Sequence, residues 1–238
     1  MKIRIVYDNR EFEGGFETGW GFSCLIESKG KYLLFDTGDD GEKLLKNLNK
    51  TCVDLNKIEA VTISHDHWDH TGGLDLFLKE NRNAKVYIPY NFSKGIKEMV
   101  KDSNHSYEIV GVNRKELIPD VFSTPVFARF MRPKEQGLVL IGSKGLALIT
   151  GCAHPNILFM VKEVKRIFYK DVKFILGGFH LHSYPSFHVR EIIKNLFKEG
   201  VEYFAPAHCT GDRAISIFEK ECGSGFIKVG SGKEIEWR

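Results

Sequence analysis

His65-Asp66-His67-Trp68-Asp69-His70 places five side chains able to ligate a metal within six consecutive residues. In an extended or loosely turning segment, residues two apart point the same way, so His65 and His67 can converge on one ion. Asp69 and His70 come round the following turn and face a second position close by. Gly72 and Gly73 then let the backbone bend tightly into whatever follows. Imidazole and carboxylate together suit borderline divalent ions: zinc first, with manganese or iron as alternatives. Two such ions sharing a water make hydroxide available near neutral pH, which is the chemistry of hydrolysis. Asp66 alternates away from His65 and His67, and is left either to orient a ligating histidine or to face solvent.

Two ions need more ligands than this cluster holds. Three downstream places offer them, each directly after an apolar run: Gly151-Cys152-Ala153-His154, Gly177-Gly178-Phe179-His180-Leu181-His182, and Ala207-His208-Cys209. Sites in layered α/β folds gather where loops from several strand ends meet. His180, beside two glycines that leave room for a substrate, is the candidate general acid, with an extra metal ligand as its competing role. His182 and His188 share the next loop, where either could touch substrate or stand exposed. His105 has no partner in sequence and reads as surface.

The elements that must carry these residues follow from periodicity. Residues 2–7, 22–27, 32–35, 60–64, 85–88 and 107–112 read as strands, as do 137–141, 146–150, 172–176 and 201–204. Helical spacing marks 39–49, the stretch after Gly73, and then 157–169, 189–198 and 214–220. Ser28-Lys-Gly-Lys31 and Gly142-Ser-Lys-Gly145 are hairpin turns. Two β-rich halves with helices attached predict an α/β (α+β) fold, two sheets face to face with helices outside. That is a four-layer αββα sandwich in a single domain over residues 1–238.

Composition sets limits on function. The chain has 238 residues, 42% of them hydrophobic and 27% charged, with 34 basic and 31 acidic residues for a net charge of +3. That balance, with no long basic block, argues against a dedicated nucleic-acid binder. Two charge-free runs, 145–161 and 174–189, contain His, Pro and Gly and fall short of a membrane span. The first residues alternate charged and apolar and lack the pattern of a signal peptide. Five cysteines at 24, 52, 152, 209 and 222 lack paired spacing and suit a reducing compartment. The expected location is cytoplasmic, the expected partner a small-molecule substrate, and a homo-oligomer stays open.

With these motifs the chain resembles the metallo-β-lactamase superfamily, from Leu34-Phe35-Asp36-Thr37-Gly38 to His208. Tyr7-Asp8-Asn9, Glu135-Gln136-Gly137-Leu138, Thr150-Gly-Cys-Ala-His-Pro155, Gly177-Gly-Phe-His-Leu181 and Pro206-Ala-His-Cys-Thr-Gly211 are similar to its dihydropterin-synthase-like branch. The namesake activity of that branch makes 7,8-dihydropterin-6-methyl-4-(β-D-ribofuranosyl)aminobenzene 5′-phosphate. The resemblance implies the metallo-β-lactamase fold and two divalent ions. It implies His65 and His67 on the first ion, and Asp69, His70 and His208 on the second. The family's usual middle histidine is absent from residues 113–141, so His154 is assigned as the third ligand of the first ion. Cys152 stands where the usual bridging Asp is expected, as a bridge or a small buried thiol.

The expected activity is therefore a dinuclear metal-dependent hydrolase or transferase acting on a small, phosphorylated or cyclic substrate, with Asp69 and His180 as the catalytic pair. Asn9, Trp20 and His182 are the expected substrate contacts, and Arg129, Arg132 and Lys134 would suit a phosphate. Competing readings are a phosphodiesterase or nuclease of the same fold, or a non-catalytic binding protein on a vestigial metal scaffold.

Overall fold

The computed structural model describes residues 1–238. Its first half runs β1 (Lys2–Tyr7), β2 (Ser23–Ser28), β3 (Lys31–Phe35), α1 (Gly41–Lys50), β4 (Ile58–Thr62), α2 (Trp68–Thr71), α3 (Leu74–Glu80), β5 (Lys85–Pro89), α4 (Lys94–Asp102) and β6 (Tyr107–Val110). The second half runs β7 (Lys115–Ile118), β8 (Val121–Ser123), β9 (Leu138–Gly142), β10 (Gly145–Thr150), α5 (Ile157–Phe168), β11 (Val172–Gly178), α6 (Ser186–Lys198), β12 (Tyr203–Ala207), α7 (Asp212–Cys222) and β13 (Glu234–Glu236).

Strand alternation sorts the apolar side chains into layers. Ile3, Ile5, Cys24, Ile26, Leu33 and Phe35 face Ala147, Ile149, Phe174 and Leu176 between the two sheets. Leu25, Leu34 and Val61 point the other way, onto Leu44, Leu48 and Phe77 of α1 and α3. Leu146, Leu148 and Ile175 pack onto Met160, Val164, Ile193 and Phe218 of α5, α6 and α7. Three apolar interfaces between four layers make the αββα sandwich that the two-halves pattern predicts.

One sheet has the order β13-β1-β2-β3-β4-β5-β6 and the other β12-β11-β10-β9-β8-β7. β1 and β3 both pair antiparallel with β2, and β3, β4 and β5 are mutually parallel. So β1, β3 and β4 all deliver their C-terminal residues to one edge. β10, β11 and β12 are parallel in the second sheet and do the same. Helix starts are capped locally: Asp40 accepts from Glu42 N and Lys43 N, and Asn156 accepts from Phe159 N. Lys29 and Gly30 turn the β2–β3 hairpin with φ of 50° and 77°. No helix is long and apolar enough to cross a membrane.

Five elements go beyond the periodicity reading: the one-turn α2, α4, β7, β8 and the three-residue β13, which returns from the far end of the chain to pair with β1. β12 also lies two residues later than its apolar run suggests, so Pro206 and Ala207 belong to the strand that ends at the site.

Candidate metal centre

The C-terminal ends of six strands build one cluster: Asp8-Asn9 after β1, Asp36 after β3, Ser64-His65 after β4, Cys152-His154 after β10, His180 after β11 and His208 after β12. His67, Asp69 and His70 arrive on the turn into α2. His65 Nε2 lies 3.0 Å from His67 Nδ1 and 3.2 Å from His154 Nε2. Ligand nitrogens about 2.0–2.1 Å from one tetrahedral ion would themselves be ~3.3 Å apart. A second group gathers beside the first. Asp69 Oδ2 is 3.2 Å from His208 Nε2, and Cys152 Sγ is 3.3 Å from His70 Nε2. Cys152 belongs to both groups, with His65 and His154 on one side and His70 and His208 on the other.

Hydrogen bonds around the cluster decide which ring nitrogens carry protons. Ser64 Oγ donates to Asp36 Oδ2 at 2.7 Å, so His65 Nδ1–H donates to Ser64 Oγ at 2.8 Å and its Nε2 is bare. His70 Nδ1–H donates to Asp36 Oδ2 at 2.7 Å, leaving Nε2 bare as well. Gly21 N donates to Asn9 Oδ1, which identifies that atom as the amide oxygen; His208 Nδ1–H donates to the same oxygen at 2.8 Å. His208 Nε2 is therefore a buried lone pair without a donor, facing the Asp69 carboxylate. Two acceptors face to face repel unless a cation lies between them. The residues present thus fit a divalent metal pair.

Burial lowers the basicity of these rings, His154 to about 3 and His208 to about 4, with neighbouring imidazoles adding to the effect at His154. His65 falls well below the ordinary value for the same reason. His70 moves the other way: burial opposes its charged form, but the Asp36 carboxylate outweighs burial and raises it. Burial also acts to raise Asp69, yet the His208 and His70 rings beside it bring it down to about 2. His65, His154 and His208 are thus held as neutral imidazoles beside one firmly ionised carboxylate, the protonation that metal ligation requires, and His70 is the ring that has a proton to yield to an ion.

Backbone strain concentrates here. Asp36, Ala153, His180 and His208 hold φ of 56°, 54°, 51° and 44°, each costing ~1–2 kcal/mol. Gly151 makes room for the network, since a Cβ there would lie 2.1 Å from Ser64 Oγ.

Two residues that motif reading had not given a role hold the two sheets together at the site. Buried Glu135 accepts from Cys152 N, Ala153 N and His154 N at 3.0, 2.9 and 2.8 Å. Gln136 donates through Nε2 to Ile63 O and Thr62 Oγ1 at 2.7 and 3.0 Å. A carboxylate directly before an amide, ahead of a strand, is the sequence signal that could have found them.

The expected substrate contacts fare unequally. The Asn9 amide oxygen is engaged by His208 and Gly21, and so orients a histidine of the cluster. Trp20 is half exposed with its ring edge-on to His208, at 5.3 Å between centroids. His180 is half-buried with an unpartnered Nδ1, its ring 4.5 Å from His154 and 5.2 Å from exposed His182. Asp66 neither orients a histidine nor stands free: its Oδ2 accepts from Ser93 N at the start of α4. His105 is also half-buried, its ring nitrogens 3.0 Å from Ser103 O and 2.8 Å from Asn81 O, so it is not a free surface histidine.

Above the site, residues 127–135 form a strap closed at its base by paired backbone hydrogen bonds between Phe127 and Glu135. Its exposed arm carries Arg129, Phe130, Met131 and Arg132. Lys134 Nζ donates to Tyr90 Oη and Arg132 to Tyr184 Oη, and the Arg132 charge is felt at His180.

The metallo-β-lactamase superfamily profile matches residues 21–161, more than half of the chain. The chain belongs to the metallo-β-lactamase superfamily. Among curated members, 7,8-dihydropterin-6-methyl-4-(β-D-ribofuranosyl)-aminobenzene-5′-phosphate synthase of Methanocaldococcus jannaschii is 27% identical, over 92% of this chain and 90% of that protein. A crystal structure of Tm1679, a metal-dependent hydrolase of the β-lactamase superfamily, superposes with a TM-score of 0.84 at 28% identity, covering 99% of this chain and 98% of the other. The metallo-β-lactamase fold protein YhfI from Bacillus subtilis, at 15% identity, has a TM-score of 0.70 over 99% of both chains and shares the fold.

Proposed function

We propose that this metallo-β-lactamase superfamily member is a dinuclear metal-dependent enzyme acting on a small phosphorylated substrate of the dihydropterin-synthase-like class. The observation that carries this reading is the place of Cys152 in both ligand groups. Groups that share one thiol put two ions close enough to share a water. His65, His67, His154 and Cys152 would hold one ion, and Asp69, His70, His208 and Cys152 the other. Bound there, the pair supplies Lewis acidity and a water acidified toward neutrality.

The chain's own residues supply the rest. Asp69, ionised down to about pH 2, accepts a hydrogen bond from the attacking water and orients it. His180 stands at the mouth with a free Nδ1; burial and the adjacent His182 lower its basicity, so it meets substrate as a neutral ring. Its bare nitrogen takes a proton as water attacks, and the imidazolium so formed protonates the departing oxygen and returns to the neutral ring. Arg132 and Lys134 present fixed positive charge for a phosphate. Trp20 offers an aromatic face beside His208 for a flat ring. The phosphate and the pterin in the name of the Methanocaldococcus jannaschii relative match those two features.

Elemental analysis of protein purified without added metal tests this reading, alongside His67→Ala. Near two equivalents per chain, falling sharply in the variant, is the expected result, followed by turnover in a panel of dihydropterin phosphates and phosphodiesters. No metal in the wild type even after reconstitution sinks the proposal.

A further inference from the structure

The chemistry proposed for the site uses Cys152 and leaves its neighbour Cys209 without a role. Cys152 Sγ lies in both of those ligand groups; Cys209 Sγ, 3.2 Å from it at 4% exposure, lies in neither and meets only Cys152 and His180 in a third cluster. The approach is a feature of the packing. Cys152 follows β10 and Cys209 follows β12, and β11 runs between those strands. The loops meet because β11 ends in Gly178, where a Cβ would sit 2.6 Å from Cys209 Sγ and 3.2 Å from Cys152 Cα. Thr210 Oγ1 accepts from Phe179 N at 3.0 Å and holds the Cys209 loop against that end of β11. No other cysteine is placed this way: Cys24 lies between the sheets, Cys52 is exposed, and Cys222 ends α7.

We propose that Cys152 and Cys209 form a redox lock on the metal centre, a reversible disulfide that closes when the ions are absent and withdraws Cys152 from both ligand groups. The proposal rests on the reading of Cys152 as a shared ligand. An S–S bond is ~2.0 Å, so the sulfurs need to close by only about 1 Å. The oxidant is hydrogen peroxide, a co-reactant little larger than water. Cys152 sulfur attacks the peroxide and breaks its O–O bond, its thiol proton passing to the departing hydroxide, which gives a sulfenic acid and one water. Cys209 sulfur then displaces the sulfenic hydroxyl as a second water and forms the disulfide. Two thiols and one hydrogen peroxide become one disulfide and two waters, the sulfurs giving up the two electrons that the peroxide takes. Bound metal commits the Cys152 lone pairs and blocks the first step.

The test treats metal-free and zinc-loaded protein with a small excess of hydrogen peroxide. Free thiols are then alkylated, peptides mapped by mass spectrometry, and zinc uptake measured before and after a phosphine reductant. Metal-free protein should lose two of its five free thiols to a single Cys152–Cys209 crosslink. Its zinc affinity should fall by about tenfold or more and return on reduction. Zinc-loaded protein should keep all its thiols. Cys209→Ser should carry oxygen on Cys152 and no crosslink. Absence of the crosslink in metal-free protein overturns the lock, and so does a crosslink that leaves zinc uptake unchanged. Cys152→Ser, which cannot crosslink, reads the ligand role by itself: wild-type zinc uptake there would sink the shared-ligand reading, whereas weakened uptake with no crosslink in the wild type would sink only the lock.

Discussion

Ser64 Oγ donates to Asp36 Oδ2 at 2.7 Å, and this bond sets the proton pattern of histidines in both ligand groups. With its hydrogen spent on Asp36, Ser64 can only accept from His65 Nδ1. The same Asp36 oxygen takes the Nδ1 proton of His70. Each ring is thereby turned with a bare Nε2 toward the centre.

Ser64→Ala should therefore weaken zinc binding by about 10–100-fold while the fold is kept, because His65 loses the partner that fixes its tautomer. Competition with a chromophoric chelator measures the change, and circular dichroism checks the fold. An unchanged competition curve would refute the orienting role.

Acid should cost the metal-free protein stability through its buried rings. His154 is held neutral down to about 3 and His208 down to about 4, by burial first. An unfolded chain protonates histidine near ~6.5. Between those values the unfolded state binds more protons, so this stabilisation, complete above ~6.5, is lost as pH falls. His154→Gln removes one such ring. The melting temperature of metal-free wild type minus that of His154→Gln should shrink between about pH 7 and about pH 4. A constant difference would contradict the assignment.

Arg132→Ala should separate binding from chemistry. If the strap takes the substrate phosphate, KM for a phosphate-bearing substrate rises about tenfold or more with kcat largely kept. The dephosphorylated analogue should be indifferent. Equal effects on both substrates would place Arg132 outside phosphate recognition.

Much of the candidate site was legible because its residues obey local rules. His65 to His70 sit within one turn, and His154, His180 and His208 each follow an apolar run that had to be a strand. What escaped depends on contacts distant in sequence. The contact of Asn9 with His208, 199 residues away, exists only because β1 and β12 bring the two together. Asp36 and Ser64 are ordinary polar residues until β3 and β4 align them. Glu135 and Gln136 were visible only as a motif; their work lies in reaching two loops on two sheets. α4 did carry a signal, Ser93 ahead of Ile96, Met99 and Val100, but only Val100 is fully buried and its apolar stripe is thin. β13 has three residues and no pattern of its own; the edge of β1 selects it.

The Phe127–Glu135 pairing makes the strap a separable cassette. Everything that orients ligands lies at or below that pairing: Glu135 on the Cys152–His154 loop, and Gln136 on the end of β4. The arm from Ala128 to Lys134 meets the loops of the cluster through side chains alone, Arg129 donating to Pro155 O and Arg132 to Tyr184 Oη. Its length and charge can drift, or be grafted from another member of the fold, while the ligand geometry beneath is inherited intact. One scaffold with a fixed histidine floor and an exchangeable roof is a physical route by which new substrates are acquired without rebuilding the site.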